Sequence, residues 1–194
     1  DWGCVHCSEG NYAIIMNGPR GWSGPEYAQG WSFNVPTAEF YNSFEEGDTR
    51  RDATVLDIEA FAAATGANYT EGYDHTGYFN NKYIPRAGES GGQTELNYLT
   101  NFRIIRYSDV LLMAAEAYNR GGIDDGLAQE FLNQVRRRAF GDDDHDISAS
   151  GTALTDAIWE ERKFELSLEG HRFFDLVRTG RASSTIAGFV EGKH

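Results

Sequence analysis

The chain has 194 residues, enough for one ordinary domain or two small ones with a real hydrophobic core. Thirty acidic against 17 basic side chains give a net charge of −13, which repels phosphate backbones, so no nucleic-acid partner is expected. A hydrophobic content of 40% excludes a simple disordered tail, and no apolar run approaches the ~18 residues of a membrane-spanning helix.

The character of the sequence changes near residue 100. Residues 1–100 carry most of the glycines and all four prolines and read as a loop-rich segment with short elements. Residues 101–194 read as a helical part. At the start, Cys4, His6 and Cys7 suggest a local disulfide or two ordinary thiols rather than half a zinc site, because no second ligand pair follows. Residues 36–44 predict a short helix, with proline in its first turn, Phe40 and Phe44 four apart and Gly47 beyond its end. Residues 53–58 and 77–84 predict short strands, and residues 86–97 a loop.

Three helices are predicted after that. The first covers about 103–119, with Ile104, Ser108, Leu111, Ala115 and Tyr118 on one stripe and Gly121-Gly122 as its stop. The second covers about 125–139, with Leu127, Phe131, Leu132 and Val135 inward. Together they have the size of a tetratricopeptide-type hairpin. An acidic loop at 141–152 follows, and the third helix is expected to run unbroken over about 153–177. Asp142, Asp144 and Asp146 alternate as calcium ligands do, yet the glycine and glutamate of a calcium-binding loop are absent, and a solvated acidic loop is the expectation.

The third helix concentrates the ionisable residues. Glu161, Glu165 and Glu169 recur every four residues, with Arg162, Arg172 and Arg178 placed three from a carboxylate. With Asp175 and a nearby His171, such carboxylates could serve a glycoside hydrolase. The favoured reading is a partly buried ion network among Trp159, Phe164, Phe173 and Phe174, because an arginine-paired carboxyl is a poor general acid. No catalytic residue, metal or cofactor is therefore expected. The candidate ligand-binding residues are Trp22, Tyr27 and Trp31. They lie on a Gly/Pro-rich loop with no period that would bury them, and exposed rings of this kind stack on sugar faces. The alternative is that they fold back as plugs on the core. Asn68-Tyr69-Thr70 matches a glycosylation acceptor, a tripeptide common by chance.

Residues 101–117, 132–139 and above all 161–180 carry a family resemblance. The last stretch reads Glu161-Arg162-Lys163-Phe164-Glu165-Leu166-Ser167-Leu168-Glu169-Gly170-His171-Arg172-Phe173-Phe174-Asp175-Leu176-Val177-Arg178. It resembles the C-terminal half of the SusD/RagB family of Bacteroidota surface lipoproteins, with Pro36-Thr37 and residues 46–54 fitting upstream. The resemblance implies a mainly α fold of tetratricopeptide-like hairpins with long loops and a few short strands. It implies capture of an oligosaccharide or peptide at the outer-membrane surface, without catalysis, and delivery to a TonB-dependent SusC-like transporter. A lipid anchor and further helical repeats would then lie upstream of Asp1, making this a segment of a longer chain. A scaffold that docks other proteins is the remaining alternative.

Overall fold

The computed structural model describes residues 12–72, 74–89 and 98–192. Cys4, His6, Cys7 and most of the predicted 86–97 loop lie outside the described residues. The chain divides into two compact units, Asp1–Arg103 and Ile104–His194.

The first unit contains short elements separated by loops. They are α1 (Ala13–Met16), β1 (Arg20–Ser23), α2 (Ala38–Asn42), α3 (Arg50–Thr54), β2 (Val55–Asp57), α4 (Ile58–Thr65), β3 (Asn68–Thr70) and β4 (Tyr78–Asn80). Two antiparallel pairs form, β1 with β3 and β2 with β4, the latter setting Leu56 opposite Phe79. The predicted α2 is present: Thr37 caps it by accepting from the Phe40 amide at 3.2 Å, and the Phe40 and Phe44 rings meet edge to face at 5.1 Å. The predicted strand over 53–58 is only Val55–Asp57, because helices take both flanks. Asp57 turns the chain directly into α4 by accepting from the Ala60 amide at 2.9 Å. Tyr27, Leu56, Ile58, Phe79 and Ile84 form one apolar cluster, and Ile14, Ile15, Tyr83 and Tyr98 another.

The second unit is helical: α5 (Tyr107–Arg120), α6 (Asp125–Phe140), α7 (Gly151–Glu165), α8 (Arg172–Arg178) and α9 (Ala182–Glu191). Asp124 caps α6 by accepting from the Leu127 amide at 3.0 Å, and Gly141 closes it in the left-handed region at φ 89°. Leu111, Leu112, Ala115, Leu132, Val135, Leu154 and Ile158 fill the core between α5, α6 and α7. Ile104, expected on this stripe, is 74% exposed, since α5 begins only at Tyr107. Asn133 holds the 141–150 loop by both backbone groups of one residue: its amide donates to the Ile147 carbonyl at 3.0 Å and its oxygen accepts from the Ile147 N–H at 2.8 Å. Asp146 is bound by Arg137 at 3.0 Å rather than left to solvent.

The third predicted helix is two helices. It breaks over residues 166–171, where Leu168 and Gly170 adopt left-handed φ of 63° and 87°. Glycine takes this left-handed conformation without strain, which suits Gly170 to the break between the two helices. Phe173 and Phe174, expected in the core, are 59% and 70% exposed on α8.

Candidate functional site

The ring contacts sort the three candidate residues into two sets. Trp22 lies 5.9 Å from Tyr27, and both meet Phe61, at 6.0 and 5.1 Å. Tyr27 is only 5% exposed; its hydroxyl points to Asn81 Oδ1 at 3.5 Å and the Arg86 guanidinium lies 5.3 Å over its ring. Burial raises the Tyr27 pKa, against the opposing pull of Arg86. Tyr27 thus offers no free face and backs the half-buried Trp22.

Trp31 belongs to the second set. Its ring stacks on Tyr12 at 5.5 Å and 28°, and Phe33 stands perpendicular to it at 6.5 Å. Tyr12 and Phe33 are about half exposed, so this group presents aromatic surface to solvent. Residues 30–33 are laced to residues 15–19 by backbone bonds: Trp31 N–H to the Ile15 carbonyl at 2.8 Å, Ser32 N–H to Gly18 at 2.9 Å and Phe33 N–H to Met16 at 2.9 Å. Gly30 makes this approach feasible, because a Cβ there would lie 2.0 Å from the Asn17 carbonyl oxygen. Arg20 locks the outer side: its Nε donates to the Trp31 carbonyl at 2.6 Å and its guanidinium lies 5.3 Å over Phe33. Half-exposed rings beside an arginine have the chemistry to stack a pyranose and bond its hydroxyls. Tyr12, Arg20 and Phe33 were not among the sequence candidates. Phe33 lies only two residues from Trp31, but Ser32 between them takes a left-handed φ of 56°, so no alternation rule would have placed it on the same side.

Glu161, Glu165, Glu169 and Asp175 form a separate constellation, and each of the four bonds at least one arginine. Arg136 donates to Glu161 at 2.9 Å. Arg106 forks onto both Glu169 oxygens at 2.8 and 2.9 Å and also bonds Glu165, which Arg138 reaches at 2.5 Å. Arg162 bridges Asp109 at 2.7 Å and Asp175 at 3.0 Å, and Arg178 joins Asp175 and Glu116, both at 2.7 Å. Only the Arg178–Asp175 pair follows the expected spacing; Arg162 turns away from Glu165, and Arg172 does not bond Glu169. Burial would raise the Glu165 pKa, but Arg106 and Arg138 override it and hold the carboxyl at about 2. A carboxyl so held cannot donate a proton near neutrality. Asn68 of the glycosylation-like tripeptide is exposed on β3.

The SusD family model matches residues 6–193. A laminarin-binding SusD-like protein of known structure is 41% identical, with a TM-score of 0.79 over 93% of this chain and 38% of its own. Surface glycan-binding protein A from Bacteroides thetaiotaomicron, solved in complex with laminarihexaose, is 35% identical, with a TM-score of 0.80 over 95% of this chain and 40% of its own. SusD-like protein P2 from Formosa agariphila is 32% identical over 87% of this chain and 35% of its length. The chain spans about a third of the length of such curated relatives.

Proposed function

The chain belongs to the SusD family, and on that premise we propose that it is the portion of a cell-surface binding protein that helps capture a neutral oligosaccharide, of the β-glucan type that laminarihexaose represents. The observation that carries this reading is the Tyr12–Trp31–Phe33 group, in which half-exposed Tyr12 and Phe33 flank a half-buried Trp31 held by Arg20 and the 15–19 backbone. Trp31 supplies the stacking face, with Trp22 and Tyr27 as the packed support behind the loop. The strongly acidic chain suits a neutral ligand over an anionic one. Binding proceeds without turnover, since the helix carboxylates are committed to arginines. The captured glycan passes to a SusC-like TonB-dependent transporter in the outer membrane, to which the full-length protein is tethered by a lipid anchor outside this segment.

The test is calorimetric titration with laminarihexaose. Trp31→Ala should weaken binding by roughly tenfold, the loss of one stacked ring, at unchanged circular dichroism. Equal affinity in the variant would remove Trp31 from the site. The hand-over is tested by solubilising outer membranes and purifying the full-length protein: a large β-barrel should travel with it.

A further inference from the structure

The rings of the candidate glycan site come from two separate stretches of chain. Tyr12 immediately precedes α1, whereas Trp31 and Phe33 lie on a later loop. Asn17, the C-cap of α1, touches both stretches and is only 6% exposed. Its Nδ2 donates to the Ala13 carbonyl at 2.5 Å, beside Tyr12 in the chain. Its Oδ1 accepts from Asn34 Nδ2 at 3.4 Å and from Asn80 Nδ2 at 3.3 Å. Its main-chain carbonyl is the group against which Gly30 packs.

Asn80 dictates which way this amide faces. It is 1% exposed and paired through β4 with Val55 of β2. Its Oδ1 already accepts the Lys82 and Tyr83 N–H groups at 2.9 and 3.2 Å, so Nδ2 is the end it turns to Asn17. Asn17 must answer with its oxygen, which leaves its own nitrogen for Ala13. Two buried amides, each with one permitted orientation, thus tie the start of α1 and residue 34 to β4. Buried amides are a costly way merely to fill space. The fold also has other means to hold these segments. Residues 31–33 donate three backbone bonds to residues 15–18, and Ile14, Ile15 and Tyr83 pack together beneath them. We infer that Asn17, oriented by Asn80, is a positioning residue for glycan binding: it sets α1 and the 30–34 loop in one register so that the Tyr12 and Trp31 rings meet the sugar ready-stacked. The inference rests on the reading of that ring group as the glycan site, and deepens it.

The experiment is a double-mutant cycle on the full-length protein, read by calorimetric titration with laminarihexaose. Asn17→Ala should weaken binding by about tenfold at unchanged circular dichroism, because the rings must then be ordered at the moment of binding. Combined with Trp31→Ala it should add little to the loss from Trp31→Ala alone, since a residue acting through the ring has nothing left to position. A general loss of stability would not produce that overlap. Losses that multiply to about a hundredfold overturn the inference, as does parental affinity in Asn17→Ala when Trp31→Ala binds weakly. A parent that ignores laminarihexaose, or a Trp31→Ala variant that binds as the parent does, removes the site itself and the inference with it. Where Asn17→Ala fails to fold, Asn80→Asp takes its place: it keeps an acceptor for Lys82 and Tyr83 but cannot donate to Asn17 when ionised, and the same outcomes decide.

Discussion

Replacing Glu165 by glutamine isolates the ion network at α7. The side chain keeps its shape and loses its charge, leaving Arg138 without a carboxylate and Arg106 with Glu169 alone. A carboxyl held at about 2 in the folded protein, against its usual 4.5, favours its charged form by about 3 kcal/mol. The cost stays below the ~3–5 kcal/mol upper range for breaking a fully buried pair, because Arg138 is largely exposed and Arg106 keeps Glu169. Glu165→Gln should therefore lower the unfolding free energy by at most about 3 kcal/mol and the melting temperature by no more than roughly 6–12 °C. Urea unfolding of the purified variant, beside laminarihexaose titration, is the assay. Glycan affinity should persist wherever the variant is folded, as Glu165 and the ring cluster belong to different units. Stability within about 0.5 kcal/mol of the parent, together with loss of glycan turnover, would refute the reasoning and make Glu165 catalytic.

Acid should dissolve the same network. Arg178 and Arg120 overcome burial to hold Glu116 at about 2, as Arg106 does for Glu165. Both folded values lie below the unfolded ones, so this stabilisation is complete above pH ~4.5 and is lost as the pH falls toward 2. The urea midpoint should fall steadily across that window, and less steeply in Glu165→Gln; parallel profiles would exclude Glu165 as a source. Gly30→Ala should destabilise the first unit by about 2 kcal/mol and alter Trp31 fluorescence, because its Cβ collides with the Asn17 carbonyl. Gly188→Ala, with open space at its Cβ inside α9, should instead stabilise by up to ~1 kcal/mol, read from the same melts.

Helices α5 and α6 were legible in the sequence because apolar residues recur with helical period between clear stop signals. Helix α4 was not: Val55, Leu56 and Ile58 read as a strand, and the N-cap at Asp57 divides them between two elements. The break between α7 and α8 was hidden for a related reason. Glu161, Glu165 and Glu169 keep a four-residue spacing across it, and Arg106, arriving from another part of the chain, binds the last two of them. Sequence spacing can suggest pairs on one helix, but Arg162–Asp109 spans 53 positions and only tertiary structure reveals it. At the aromatic loop, composition singled out Trp22, Tyr27 and Trp31. It could not distinguish a ring packed inward, such as Tyr27, from one near the surface, such as Trp31, because irregular backbone has no period from which to read direction.

The reversal at residues 166–171 also governs how the segment can vary in length. It returns Asp175 to Arg162, so α7 and α8 are clasped at both ends of a very short connection. One inserted residue, if wound into α8 ahead of Asp175, would swing Asp175 and Arg178 together by about 100° around the helix axis and break the Arg162–Asp175 and Arg178–Glu116 pairs at once. Substitutions there cost what each contact is worth, whereas an insertion or deletion cancels the whole set together. Gain and loss of residues should therefore be purged from this stretch far more strictly than single substitutions.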